Sequence, residues 1–317
     1  MNISDSNLTR YRFRPTLLHP RHWGTWLGLA LFFLFTLLPL PMIDAVGARL
    51  GRLAAKKNRK RFAIARTNLS LCFPDKSGVQ IEAMVVEHFQ AQLRSALHYF
   101  ILLWRPESAV RKRIHCEGFD QLDHYRQQGR QIIVLISHCT GLDFAGVALS
   151  MDRPANGPYK EVRNPVIDWL IARLRLRFSA RHGGHLFTRE DGLRPLIRET
   201  RAGKVLLYLG DEDLGVESSV FVPFFGVTKA TISVLGRLAK SCNAVVLPCI
   251  ACYDIARRRY DVKLLPAIEN FPEGDDVRDA TAMNRAIENT IRQCPVQYLW
   301  TLRYFQTRPE GEAGVYE

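Results

Sequence analysis

The chain has 317 residues, a formal charge of +13 and 47% hydrophobic residues, enough to bury a core in one large or two modest domains. Ten Tyr, seventeen Phe and five Trp beside a charged fraction of 24% exclude a disordered chain. Sixteen prolines without a period exclude a collagen-like repeat, and the lack of an internal repeat excludes a solenoid or propeller.

The excess of base suits nucleic acid, anionic lipid or an acidic protein partner. No nucleic-acid-binding module is recognisable, so nucleic acid is not expected. The seven cysteines are odd in number and lie among apolar neighbours, as reduced, buried thiols would. That points to a reducing compartment. Cys249 and Cys252 form a CxxC in a strand-like run that would turn them to opposite faces, and no second pair follows. No metal site is expected.

In chain order, residues 1–22 read as an N-terminal tail carrying Arg10, Arg12, Arg14 and Arg21. Between Arg21 and Asp44 lie 22 residues without Asp, Glu, Lys or Arg, the length a helix needs to cross a bilayer. Trp23 and Trp26 sit at one edge, as interfacial aromatics do. Pro39 and Pro41 close the run. Residues 23–43 are therefore expected to form a transmembrane or membrane-anchoring helix. The richer basic flank after it, from Arg49 to Arg66, puts the bulk of the protein in the cytoplasm.

Residues 44–107 read as a basic and amphipathic helical region. A basic helix over 45–72 is suited to anionic headgroups of the inner leaflet. A second helix spans 78–104, with Met84, Val85, Phe89, Leu93, Leu97 and Phe100 at helical spacing. From 108 to 317 the pattern is α/β. Strands are expected at 131–137, 204–209, 244–251 and 260–265. Helices are expected near 143–151, 165–178, 190–202, 231–242 and 278–293. The fold class is α/β, with a mostly parallel central sheet flanked by helices. Such a sheet carries ligands at the carboxyl ends of its strands.

Just past the first of these strands stands Ser137-His138-Cys139-Thr140-Gly141-Leu142-Asp143. His138 and Asp143 could meet across a strand-to-helix turn, which Gly141 permits through its backbone freedom. A carboxylate on one imidazole nitrogen fixes the tautomer and leaves the other as a general base. The new helix offers free N–H groups to a developing oxyanion. Ser137 or Cys139 as a covalent nucleophile is weakened by their pointing apart on extended chain.

These residues resemble the glycerolipid acyltransferase superfamily, whose hallmark is H-x4-D/E at a strand end. More narrowly the chain resembles the late acyltransferases of lipid A synthesis, of the lauroyl/myristoyl type. The resemblance runs from Leu18-His19-Pro20-Arg21-His22-Trp23 through Asn68–Pro74 and Asn164-Pro165-Val166-Ile167-Asp168. It continues through Arg189-Glu190-Asp191-Gly192, Asp211-Glu212-Asp213-Leu214-Gly215, Phe221–Phe225 and Lys229-Ala230-Thr231 to Gln297–Trp300 and Thr307-Arg308-Pro309.

The resemblance implies transfer of a fatty acyl group from acyl carrier protein to a hydroxyacyl chain of a Kdo-linked lipid A precursor. It implies an enzyme at the cytoplasmic face of the inner membrane, with lauroyl weakly favoured over myristoyl. His138 would be the general base and Asp143 would orient it. No cofactor or metal is required. Arg189 is a candidate for a substrate phosphate or the oxyanion. Asp211 and Asp213 are candidates for pairing with site arginines or contacting substrate. Arg173 and Arg177 share a helix face that could receive a phosphorylated lipid or the acidic carrier. The apolar loop Phe221–Phe225 suits an acyl channel or a core loop. Gly210 stands where the late lipid A branch has Pro, which leaves the local turn open. Two other readings stand beside it: a glycerophospholipid acyltransferase that would use the same dyad, and a basic membrane-surface binding protein without activity that would need the basic clusters but not His138 or Asp143.

Overall fold

The computed structural model describes residues 11–35 and 37–316, so the first part of the expected tail lies outside the described residues. Its helices are α1 Trp23–Phe35, α2 Leu40–Lys57, α3 Arg59–Cys72, α4 Gly78–Trp104, α5 Glu107–Arg111, α6 Asp120–Gln127, α7 Leu142–Ser150, α8 Pro165–Ser179, α9 Leu193–Arg201, α10 Val234–Cys242 and α11 Asp276–Gln293. Its strands are β1 Ile114–Glu117, β2 Gln131–Ile136, β3 Ala155–Pro158, β4 Leu186–Phe187, β5 Val205–Tyr208, β6 Ser219–Phe224, β7 Val227–Ile232, β8 Ala244–Asp254 and β9 Arg259–Leu264.

The expected 23–43 span is not one helix. α1 has 13 residues, about 20 Å at 1.5 Å per residue, against roughly 30 Å of hydrocarbon. The chain turns at 37–38, and α2 begins after Pro39 with Pro41 in its first turn, where proline's fixed φ and missing N–H are tolerated. Among the described residues, no helix is long and apolar enough to cross a membrane. α1 buries none of its residues and exposes Trp23, Leu27, Leu31 and Leu34 along one stripe. The basic helix expected over 45–72 is likewise two, because the Asn58 side chain accepts from the Arg61 N–H and starts α3 afresh.

α4 matches its expected bounds. Ser77 and Gln80 form a reciprocal capping box at its start, and Pro106 follows its end. Its stripe of Ile81, Val85 and Phe89 shares one core with Ile133 and Leu135 of β2, Leu206 of β5 and Ile287 of α11.

Seven strands make one sheet in the order β1-β9-β8-β2-β5-β3-β4, parallel except where β8 meets β9. The central strand β2 is buried on both faces. Ile133 and Leu135 point one way, and Ile132, Val134 and Ile136 point the other against Leu122, Ala145 and Leu149.

The stretch Phe221–Phe225 is not a loop. It belongs to the β6–β7 hairpin, which also takes the first residues expected to begin a helix at 231. Phe225 and Gly226 both have positive φ at the tip, the twist a tight hairpin prefers. Phe224 and Phe225 fill the core.

The cysteines also depart from expectation. Cys252 at the end of β8 and Cys294 after α11 are joined as a disulfide, with Cα atoms 6.4 Å apart. The inference to a reducing compartment therefore loses its footing.

Candidate active site

β2 and β5 lie side by side, with Leu135 opposite Tyr208. Three residues beyond each, the chain leaves the sheet at His138 and Asp211. The His138 Nδ1–H donates to Asp211 Oδ1 at 2.7 Å, and the His138 backbone N–H donates to Asp211 Oδ2 at 2.8 Å. A carboxylate only accepts, so the ring proton sits on Nδ1 and the Nε2 lone pair is left for chemistry.

Asp211 is fully buried. Burial alone would raise its pKa, but the His138 ring and N–H and the charge of Lys229 outweigh that and hold it below the ordinary carboxylate value. For His138, burial works against the imidazolium, while Asp211 and then Glu212 favour it over the opposing Arg175. Its pKa lies above the ordinary 6.5. Glu212 Oε1 stands 3.7 Å from Nε2. Lys229 is wholly buried, and burial lowers its pKa to about 8 against the pull of the nearby acids.

The expected His138–Asp143 hydrogen bond is replaced by two separate pairs. Asp143 is the second residue of α7 and turns to the neighbouring helix. Its Oδ1 accepts from Arg175 Nε of α8 at 2.7 Å, and its Oδ2 accepts from the Tyr99 hydroxyl of α4. Burial would raise the Asp143 pKa, but Arg175 and Tyr99 hold it below the ordinary value. Arg175 also lies over the Tyr159 ring at 5.5 Å.

Gly141 serves this turn through space, not through unusual backbone angles. Its φ is −91°, ordinary for any residue, but a Cβ there would lie 2.4 Å from the Ala251 carbonyl oxygen of β8. The turn is pressed against the neighbouring strand.

His138, Asp143, Arg175 and Glu212 are among the residues that line a cavity of about 820 Å³. Its walls are largely apolar, with Leu142, Val147, Leu149, Leu186, Phe187 and Leu207 among them. A cavity of this size and lining suits one long apolar chain with a reacting polar end.

The other sequence candidates fall elsewhere. Asp213 binds the backbone N–H of Thr307 at 2.6 Å and its hydroxyl at 2.7 Å, and so ties down the C-terminal segment. Arg177 donates to the carbonyls of Leu102 and Arg105. Arg173 is exposed and does not line the cavity. The Arg189 side chain lies outside the described residues. Cys139 is poorly suited to nucleophilic attack: burial pushes its thiol up to about 12 and its sulfur faces the Ala251 carbonyl. The residues sequence reasoning missed are Arg175 and Tyr99. Arg175 stood in the same arginine run, flanked by Leu174 and Leu176, an apolar setting that marks a half-buried charge. Tyr99 carried no signal.

A histidine held by a carboxylate just past the carboxyl ends of parallel strands, lining a largely apolar cavity, is the arrangement of an α/β enzyme site. Residues 10–307 match the bacterial lipid A biosynthesis acyltransferase family, and the chain belongs to it; it is an acyltransferase of lipid A biosynthesis. It is 34% identical to the lipid A biosynthesis myristoyltransferase of Escherichia coli K12 over 96% of this chain and 94% of the relative. It is 33% identical to the lauroyltransferase and 32% identical to the palmitoleoyltransferase of the same organism, each over 96% of this chain and 98% of the relative.

Proposed function

We propose that this acyltransferase moves a fatty acyl group from acyl carrier protein onto the hydroxyl of a hydroxyacyl chain in a Kdo-linked lipid A precursor. The observation that carries the reading is His138: Nδ1 clamped by Asp211, in the wall of the largely apolar cavity. Nε2 takes the proton of the acceptor hydroxyl as its oxygen attacks the thioester carbonyl. The C–S bond then breaks, the ester forms, and the phosphopantetheine thiolate takes the proton back from the imidazolium. Asp211 orients the ring and offsets its transient charge. The step balances without metal or redox cofactor.

Asp143 has a different role in this reading from the one its spacing suggested. It holds Arg175 at the cavity, where a half-buried guanidinium stabilises negative charge on the carbonyl oxygen. The cavity receives the acyl chain. Among donors, lauroyl is the first to assay, although similar identities to relatives of three different acyl names give it no advantage.

The exposed apolar α1 and the basic α2–α3 pair support attachment to the anionic inner leaflet, on the cytoplasmic face. α1 would lie in the interface and not span it. The test is an assay of purified protein with acyl carrier proteins bearing acyl chains of increasing length and a tetra-acylated precursor. Mass spectrometry should locate one new ester on a hydroxyacyl chain. Acylation of a lysoglycerophospholipid instead would favour the glycerolipid reading, and no turnover in any combination would favour the binding protein.

A further inference from the structure

Asp44 is a buried carboxylate with no part in the chemistry above. It stands on α2, shortly after the exposed α1, and is 7% exposed. A buried acid needs partners, and its partners lead to the active site by two routes. In the first, the His98 ring bridges Asp44 and Tyr260, with Nε2 3.0 Å from Asp44 Oδ1 and Nδ1 3.0 Å from the Tyr260 hydroxyl oxygen. Tyr260 hydrogen-bonds Ser95, and the Ser95 hydroxyl donates to the Thr140 carbonyl.

In the second, the Tyr253 hydroxyl donates to Asp44 Oδ2 at 2.9 Å. The Gln297 side chain grips the Tyr253 backbone, accepting from its N–H at 2.8 Å and donating to its carbonyl at 3.0 Å. Gln297 Oε1 also accepts from the Thr140 hydroxyl at 3.2 Å, and its carbonyl accepts from the Thr140 N–H at 2.8 Å. The N–H, carbonyl and hydroxyl of Thr140 are thus all held. Phe144, just past the turn, stacks on Tyr260 with centroids 3.5 Å apart.

We infer that Asp44 is a positioning residue for the turn between His138 and Asp143, holding Thr140 through two hydrogen-bond routes, buried or part-buried, that start shortly after the apolar N-terminal helix α1. This rests on the reading of His138 as the base. The seating of α2 and the geometry of the turn are thereby one arrangement. Satisfied networks in a low-dielectric interior are stiff, and losing one member loosens the rest.

The test uses the full chain in detergent with four variants: Asp44→Asn, Ser95→Ala, Tyr253→Phe and the Asp44→Asn/Ser95→Ala double. The readouts are kcat, the donor KM, the thermal midpoint and hydrogen exchange across 138–143. Each single variant should lower kcat about tenfold, the scale of a small misplacement of reacting groups, with KM within about twofold. The double should be no worse than its worse parent, and exchange should quicken at the turn while β2 stays protected. A folded Asp44→Asn protein with wild-type kcat and exchange overturns the inference, as do losses that multiply in the double. Should Asp44→Asn not fold, Tyr253→Phe decides alone, since it keeps the ring and removes only the hydroxyl on Asp44. If wild type transfers no acyl group, the proposed function falls, and the exchange comparison still judges this inference.

Discussion

His138 and Asp211 are hydrogen-bonded partners 73 residues apart, the same offset that pairs Leu135 with Tyr208 in the β2–β5 ladder. The dyad is thus an extension of sheet register. From the paired residues Leu135 and Tyr208 each chain continues for three residues, and the side chains meet. Neither residue depends on a flexible loop for its placement, which is what a precisely oriented base requires.

Asp211→Asn should keep the fold and lose most of the rate, because an amide no longer fixes the tautomer. Loss of an orienting Asp in a histidine-based site costs up to about 10⁴-fold in rate. The pH profile adds a signed test. In the proposed mechanism the neutral imidazole is the active form, so in wild type the acid limb of kcat/KM should lie above pH 6.5, following the raised His138 pKa. Without the Asp211 charge the raising influence is weakened, while burial and Arg175 still lower it. The acid limb of the variant should therefore move to lower pH. An unmoved limb would mean that another group titrates there.

Asp143→Asn should act on stability as well as on rate. It leaves Arg175, whose side chain keeps 28% exposure, without its anion. Breaking a buried pair costs about 3–5 kcal/mol, and partial exposure reduces this to about 2–4. Denaturant titration should also find the Asp143→Asn/Arg175→Gln double less destabilised than the two single losses added. Strict additivity would show that the pair is not coupled.

Much of this was legible in the sequence. The apolar run Ile132–Ile136 announced a central strand, and the polar residues after it marked the site. α4 was readable to the residue from its periodicity and the bracketing Pro74 and Pro106. The pairing was not legible. Spacing sees His138 and Asp143 as near neighbours, but α7 turns Asp143 toward α8, and only strand order brings Asp211 alongside. Arg175 lost out to Arg173 and Arg177 because helical spacing groups residues by face, not by what packs against that face. The uncharged 22-residue run was real, yet two prolines cut it into pieces too short to span.

Gly141→Ala tests the close approach of the turn to β8. The added methyl would sit 2.4 Å from backbone that cannot move freely, and overpacking of this kind costs about 1–3 kcal/mol. We expect a lowered thermal midpoint together with a lower kcat. A variant with wild-type values in both would mean that the turn has room to shift.

Gly146 lines the cavity, and a Cβ there would meet only Leu207 Cδ2 at 3.9 Å. Gly146→Leu should therefore fold and fill space the acyl chain uses. Each methylene displaced from an apolar site costs about 0.8 kcal/mol, so kcat/KM should fall more for longer acyl donors than for shorter ones. Equal losses across the donor series would remove the chain from this cavity.

The central claim is that the His138 imidazole takes the acceptor's proton. Its most direct measurement is the initial rate of acyl transfer from acyl carrier protein to the lipid A precursor by His138→Gln, beside a thermal melt matching wild type. We expect a loss of about a hundred- to ten-thousandfold, the share a positioned general base supplies, with no new ester visible by mass spectrometry at wild-type reaction times. A folded His138→Gln protein within a few-fold of the wild-type rate would contradict the account.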